Sequence, residues 1–91
     1  MRCINGRLLL EGEMSMDTVP SLLSEVRELC AGQTIDTVDF AGVGLLDSAA
    51  IAMALELRRI ADRELRFENL PPSARKLASL YAVADQLGLE D

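Results

Sequence analysis

Asp47 and Ser48 stand together where a glycine-broken stretch, Ala41 to Leu46, gives way to an apolar segment with helical character. A carboxylate or hydroxyl at a helix head can accept hydrogen bonds from the free N–H groups of the first turn, so either residue can serve as the cap. The hydroxyl has a second capacity. It lies at the positive end of the helix dipole, where a phosphate dianion is tolerated. Phosphorylation there would set new charge beside Asp47 and against any acidic or apolar partner surface, so Ser48 is a candidate contact that modification switches off.

Other chemistry finds less support. The sequence has no His, which removes His-based triads, His general bases and His metal sites. Gly42-Val43-Gly44 precedes a helix, as a phosphate-binding loop would. However, no Lys-Ser or Lys-Thr follows, and the third glycine of a dinucleotide fingerprint is missing. Asp36, Asp39 and Asp47 are the candidates for a cation, but Asp36 and Asp39 are an odd number apart and face opposite sides of one strand. Cys3 and Cys30 have no metal-type spacing and read as reduced, buried or edge thiols, with a disulfide between them the lesser alternative. These readings imply no cofactor, no metal and no catalysis.

Charge narrows the partners. Nine Lys and Arg against 15 Asp and Glu give a formal net charge of −6, which argues against nucleic acid because phosphate neutralisation needs clustered cations. The densest basic group, Arg58, Arg59, Arg63 and Arg66, is interrupted by Asp62 and Glu64 and reads as a solvated face. An acidic surface instead suits a basic patch on another protein. No apolar run approaches the roughly 20 residues that span a bilayer. Asn5-Gly6 interrupts the N-terminus too early for a signal peptide, so a cytoplasmic location is expected.

The elements that must position these residues follow from patterning. Met1 to Ile4 and Arg7 to Leu10 flank Asn5-Gly6, the favoured two-residue hairpin turn. Asp17 or Thr18 can cap a helix carrying Pro20 in its first turn, with Val19, Leu22, Val26 and Leu29 at helical spacing. Gly32 ends it, and Thr34 to Phe40 reads as a strand. A helix from Ser48 to about Arg63 leads to a strand at Leu65 to Glu68, a βαβ unit whose strands should be parallel. Pro72 or Ser73 starts a short helix with the stripe Ala74, Leu77, Leu80 and Tyr81, and Val83 to Leu89 can add a further turn.

The helix after Ser48 has more apolar surface than one core face needs. At about 100° per residue, Ala50, Met53, Ala54, Leu57 and Ala61 share one side, with Ile60 at its edge. Ile51 and Leu55 fall outside that side, among Arg58, Arg59 and Asp62, with Ala52 nearby. Either the C-terminal helix covers this pair, or it is scattered surface, or a partner docks on it.

Taken in order, Leu10-Glu11-Gly12-Glu13, Thr37-Val38-Asp39-Phe40-Ala41-Gly42-Val43 and Leu46-Asp47-Ser48-Ala49-Ala50-Ile51 resemble stretches of STAS domains, the last being similar to the family's signature turn. STAS domains form the anti-sigma-factor antagonists and the tails of sulfate transporters. The short length and the ending Leu77-Ala78-Ser79-Leu80-Tyr81 look most like the STAS subunits of Mla-type phospholipid-transport ABC transporters. The resemblance implies an α/β STAS fold, a mixed sheet of about four strands with flanking helices, filled by one domain over residues 1–91. It implies a non-catalytic subunit that binds the transporter's ATPase at the inner face of the inner membrane, meets the membrane only through that complex, and supports outer-membrane lipid asymmetry. By position it assigns partner binding to Leu46, Asp47, Ser48, Ile51, Ala52 and Leu55. The alternative is an anti-sigma-factor antagonist whose kinase phosphorylates Ser48. Ala50 departs from the glycine usual in the family, which removes backbone freedom near the hydroxyl and weakens the kinase alternative more than the apolar contact.

Overall fold

A computed structural model of the chain describes residues 1–81, 87 and 88. Asn5 and Gly6 both take positive φ, 50° and 80°, the left-handed pair that a two-residue hairpin turn needs. They join β1 (Arg2–Ile4) to β2 (Arg7–Met14) as antiparallel neighbours. Then come α1 (Val19–Leu29), β3 (Thr37–Leu46), α2 (Ser48–Ala61), β4 (Arg66–Glu68) and α3 (Pro72–Leu80). The sheet order is β1-β2-β3-β4, with β2, β3 and β4 parallel, so the sheet is mixed as expected. The expected turn at Val83 to Leu89 lies mostly outside the described residues.

Both parallel connections step the same way across the sheet. Right-handed crossovers therefore put α1 and α2 on one face. Leu8, Leu10, Val38, Phe40 and Phe67 supply the sheet's half of the core, and Val26, Ala50, Met53, Ala54 and Leu57 the helices' half. The Phe40 and Phe67 rings meet at 6.3 Å between centroids, tilted by 52°, within the range of favourable aromatic pairs.

Two strands run further than the sequence suggests. β3 begins at Thr37 rather than Thr34 and continues past Phe40 through both glycines to Leu46, while β2 continues to Met14. The glycines do not break the strand; one of them permits the pairing. A Cβ on Gly42 would sit 2.9 Å from both the Leu10 carbonyl oxygen and Glu11 Cβ. Only a bare backbone can pass β2 that closely. Register shifts between Leu9 and Glu11 and between Gly12 and Met14 accommodate the join.

The sheet face away from the helices carries a charged network. Asp39, 8% exposed, accepts the Asn69 amide at 2.9 Å, the Ala41 N–H at 2.8 Å and the Arg7 guanidinium at 3.0 Å. Arg7 also pairs with Glu68, so the network crosses β2, β3 and the end of β4. The Asn69 amide, then the Ala41 N–H and Arg7, hold the Asp39 carboxyl below its ordinary value despite burial. Asp36, exposed just before β3, accepts the Thr37 hydroxyl instead, so Asp36 and Asp39 serve separate local roles.

Candidate docking surface

Because β2 and β3 are parallel, their carboxyl ends share one edge, and the loops leaving them meet there; β4 ends earlier, with Glu68 against Asp39. β2 and β3 register Met14 against Leu46 at this edge. The 15–18 loop and the Leu46-Asp47-Ser48 turn are therefore neighbours although they lie some 30 residues apart.

Asp47, not Ser48, is the cap of α2. Its Oδ1 accepts the Ala49 N–H at 2.7 Å and its Oδ2 the Met16 N–H at 3.3 Å, while its own N–H donates to the Met14 carbonyl at 3.1 Å. One carboxylate thus caps the helix and staples the neighbouring loop to it. Ser48 is left exposed at the first helical position with no capping duty. The 15–18 loop is held from its other side by Thr18, which the sequence suggested as an ordinary cap of α1. Its hydroxyl instead donates to the Glu13 carbonyl at 2.9 Å and accepts the Ser15 N–H at 2.8 Å.

The expected partner-binding residues divide. Asp47, Ser48 and Ala52 are exposed, and Leu46 and Leu55 are half-buried, both packed against the core. Ile51 does not belong with them: it is 4% exposed. It lines a small void with Phe40, Leu70, Ala74 and Leu87, so α3 and Leu87 cover it. This corrects its reading as a docking residue. The cover is possible because α3 turns Ala74 and Ala78 toward α2, two small side chains that allow close approach. The stripe on α3 differs accordingly, since Leu80 and Tyr81 face solvent rather than the core.

Two residues that the sequence reading did not mark are exposed beside the turn. Met16 is 78% exposed and Leu45 77%, and they flank the Asp47-Ser48 turn from the neighbouring loop and the end of β3. Met16 sits in a run with no helical or strand period. Leu45 stands beside Leu46 in a segment read as a connection, so alternation along a strand, the one signal that separates them, was not available. On the two loops and the first turns of α2, Met16, Leu45 and Ala52 expose apolar side chains, Ser48 exposes its hydroxyl, and Glu13, Asp17 and Asp47 expose carboxylates. Exposed apolar side chains among charged ones suit protein docking.

No helix among the described residues is long and apolar enough to cross a membrane. A search of curated proteins returned no match. The family model described as "Mlab, STAS domain" matches residues 4–90, and the mixed four-stranded sheet with its helices is the fold expected for it. With nearly the whole length matched and the signature turn exposed at the sheet edge, the chain belongs to the STAS family as an MlaB-type member, a class of domain that works through protein–protein contacts.

Proposed function

We infer that this chain is a regulatory subunit that docks on the ATPase of an ABC-type phospholipid transporter and reaches the membrane only through that complex. The observation that carries the reading is the division of labour at the turn. Asp47 takes the structural role, which leaves the Ser48 hydroxyl and the apolar side chains beside it for a partner. Met16, Leu45, Ser48 and Ala52 form the centre of the surface, with Leu46 and Leu55 behind them. The exposed carboxylates favour a partner surface that is apolar at its centre and basic around it. Transport of phospholipid, and with it outer-membrane lipid asymmetry, would be the activity of the assembled transporter, with this subunit supporting assembly or turnover.

Co-purification tests this directly. A tagged chain expressed in its own cells should bring down an ABC ATPase and its membrane partner. Recovery of a serine kinase of the anti-sigma type in place of an ATPase would support the antagonist reading, in which phosphorylation of Ser48 switches binding. That reading has one observation in its favour, the exposure of Ser48 at a helix head. It requires the mass of one phosphate to appear on the chain after incubation with that kinase. If Ser48→Ala still gained the phosphate, the switch would not be at Ser48.

A further inference from the structure

Cys3 and Cys30 lie 27 positions apart, yet the fold brings them to the same corner, at the end of the sheet opposite the docking surface. Cys3 is on edge strand β1, directly across from Leu8, whose side chain is buried under the helices. Cys3 therefore points to the helix side. Cys30 is the residue that closes α1. Both thiols are free, half-buried and packed against the core.

Gln33 bridges the two residues. The Cys3 thiol donates to Gln33 Oε1 at 3.5 Å, the Gln33 N–H donates to the Cys30 carbonyl at 3.0 Å, and Gln33 Nε2 donates to the Leu29 carbonyl at 3.4 Å. The turn that makes this arrangement possible contains Gly32 at φ +78°. We propose that Cys3 and Cys30 are a redox pair that closes to a disulfide by exchange with a small-molecule disulfide, tying edge strand β1 to the C-terminal end of α1.

Burial, together with the neighbouring Cys3 thiol, pushes the Cys30 thiol up to about 12. Cys30 thus stays protonated near neutral pH, which assigns the order of events. The Cys3 thiolate attacks one sulfur of glutathione disulfide; the S–S bond breaks and one glutathione thiolate leaves. Cys30 then loses its proton and attacks the Cys3 sulfur of the mixed disulfide, expelling the second glutathione. Two protein thiols are oxidised and one glutathione disulfide is reduced to two glutathiones. The second step accelerates as pH rises, because it needs the Cys30 thiolate.

The test is incubation of the whole, folded chain with excess glutathione disulfide, followed by an acid quench, intact-mass measurement and non-reducing peptide mapping. The expected product is a monomer lighter by two hydrogens, with the Cys3 and Cys30 peptides linked and the link removed by dithiothreitol. The melting temperature of the linked form should rise by at least about 5 °C. Cys30→Ser should stop at a mixed disulfide on Cys3. If that variant fails to fold, the wild-type peptide map decides alone. A stable glutathione adduct without a Cys3–Cys30 link, links only between chains, or a linked protein with an unchanged melting temperature would each overturn the proposal.

Discussion

The Asp47 carboxylate accepts the backbone N–H of Met16 at 3.3 Å, joining residues 31 positions apart. The same side chain caps α2 through Ala49. The two loops of the proposed docking surface are therefore fixed to each other through the Asp47 side chain. Asp47→Ala should cost about 1 kcal/mol in denaturant unfolding, the ordinary loss of a helix cap. It should also weaken partner binding by more than stability accounts for, because the Met16 loop is released. Loss of stability with unchanged affinity would show that the loop takes no part in docking.

Ile51 separates the corrected surface from the one suggested by the sequence. Buried under α3 and Leu87, it behaves as core, and Ile51→Ala should cost about 2–4 kcal/mol in equilibrium unfolding. A change within about 0.5 kcal/mol would put Ile51 back on the surface.

The reason for that misplacement is physical. A helical wheel projects all of α2 onto one circle, so Ile51 shares an angle with half-buried Arg58 two turns later. α3 has nine residues, about 14 Å of helix, and its Ala74 lines one small void with Ala50, Ile51 and Ala54 near the head of α2. Coverage that varies along the helix axis is invisible to a wheel. The same limit hid Leu80 and Tyr81, whose helical spacing matches a stripe that the neighbouring element does not reach. By contrast the Asn5-Gly6 hairpin, the βαβ order and the capping capacity of the Asp47-Ser48 turn depend on local residue types, and all three are legible. Which of Asp47 and Ser48 caps was not legible, because it depends on the Met16 loop arriving from another part of the chain.

Gly42 tests the strand extension. Its missing Cβ would lie 2.9 Å from the Leu10 carbonyl oxygen and from Glu11 Cβ, neither of which is the far end of a flexible side chain. Gly42→Ala should force β2 and β3 apart and destabilise the fold by about 1–3 kcal/mol. Gly44, with nothing near its Cβ position, should accept Ala far better. Equal effects of the two substitutions on chemical denaturation would contradict the close approach.

Asp39 gives the fold an acid-sensitive element. Its folded-state carboxyl titrates below the ordinary value of 3.8, chiefly through Asn69, then Ala41 and Arg7. A depressed carboxylate contributes stability that is fully present above the unfolded value and is lost as pH falls through the lower folded value. Unfolding measured from pH 6 down to pH 2 should therefore show a loss of stability below about pH 4 that Asp39→Asn flattens. A variant with the same acid slope as wild type would assign that slope to other carboxylates.

If Met16, Leu45 and Ser48 form the docking surface, binding of the co-purified ATPase to folded variants shows it most directly. Titration calorimetry with Leu45→Glu, Met16→Glu and Ser48→Asp should show at least a tenfold loss of affinity for each, about 1.4 kcal/mol or more. Because all three side chains are exposed, melting temperatures should stay within a few degrees of wild type. Wild-type affinity in all three variants would contradict the account.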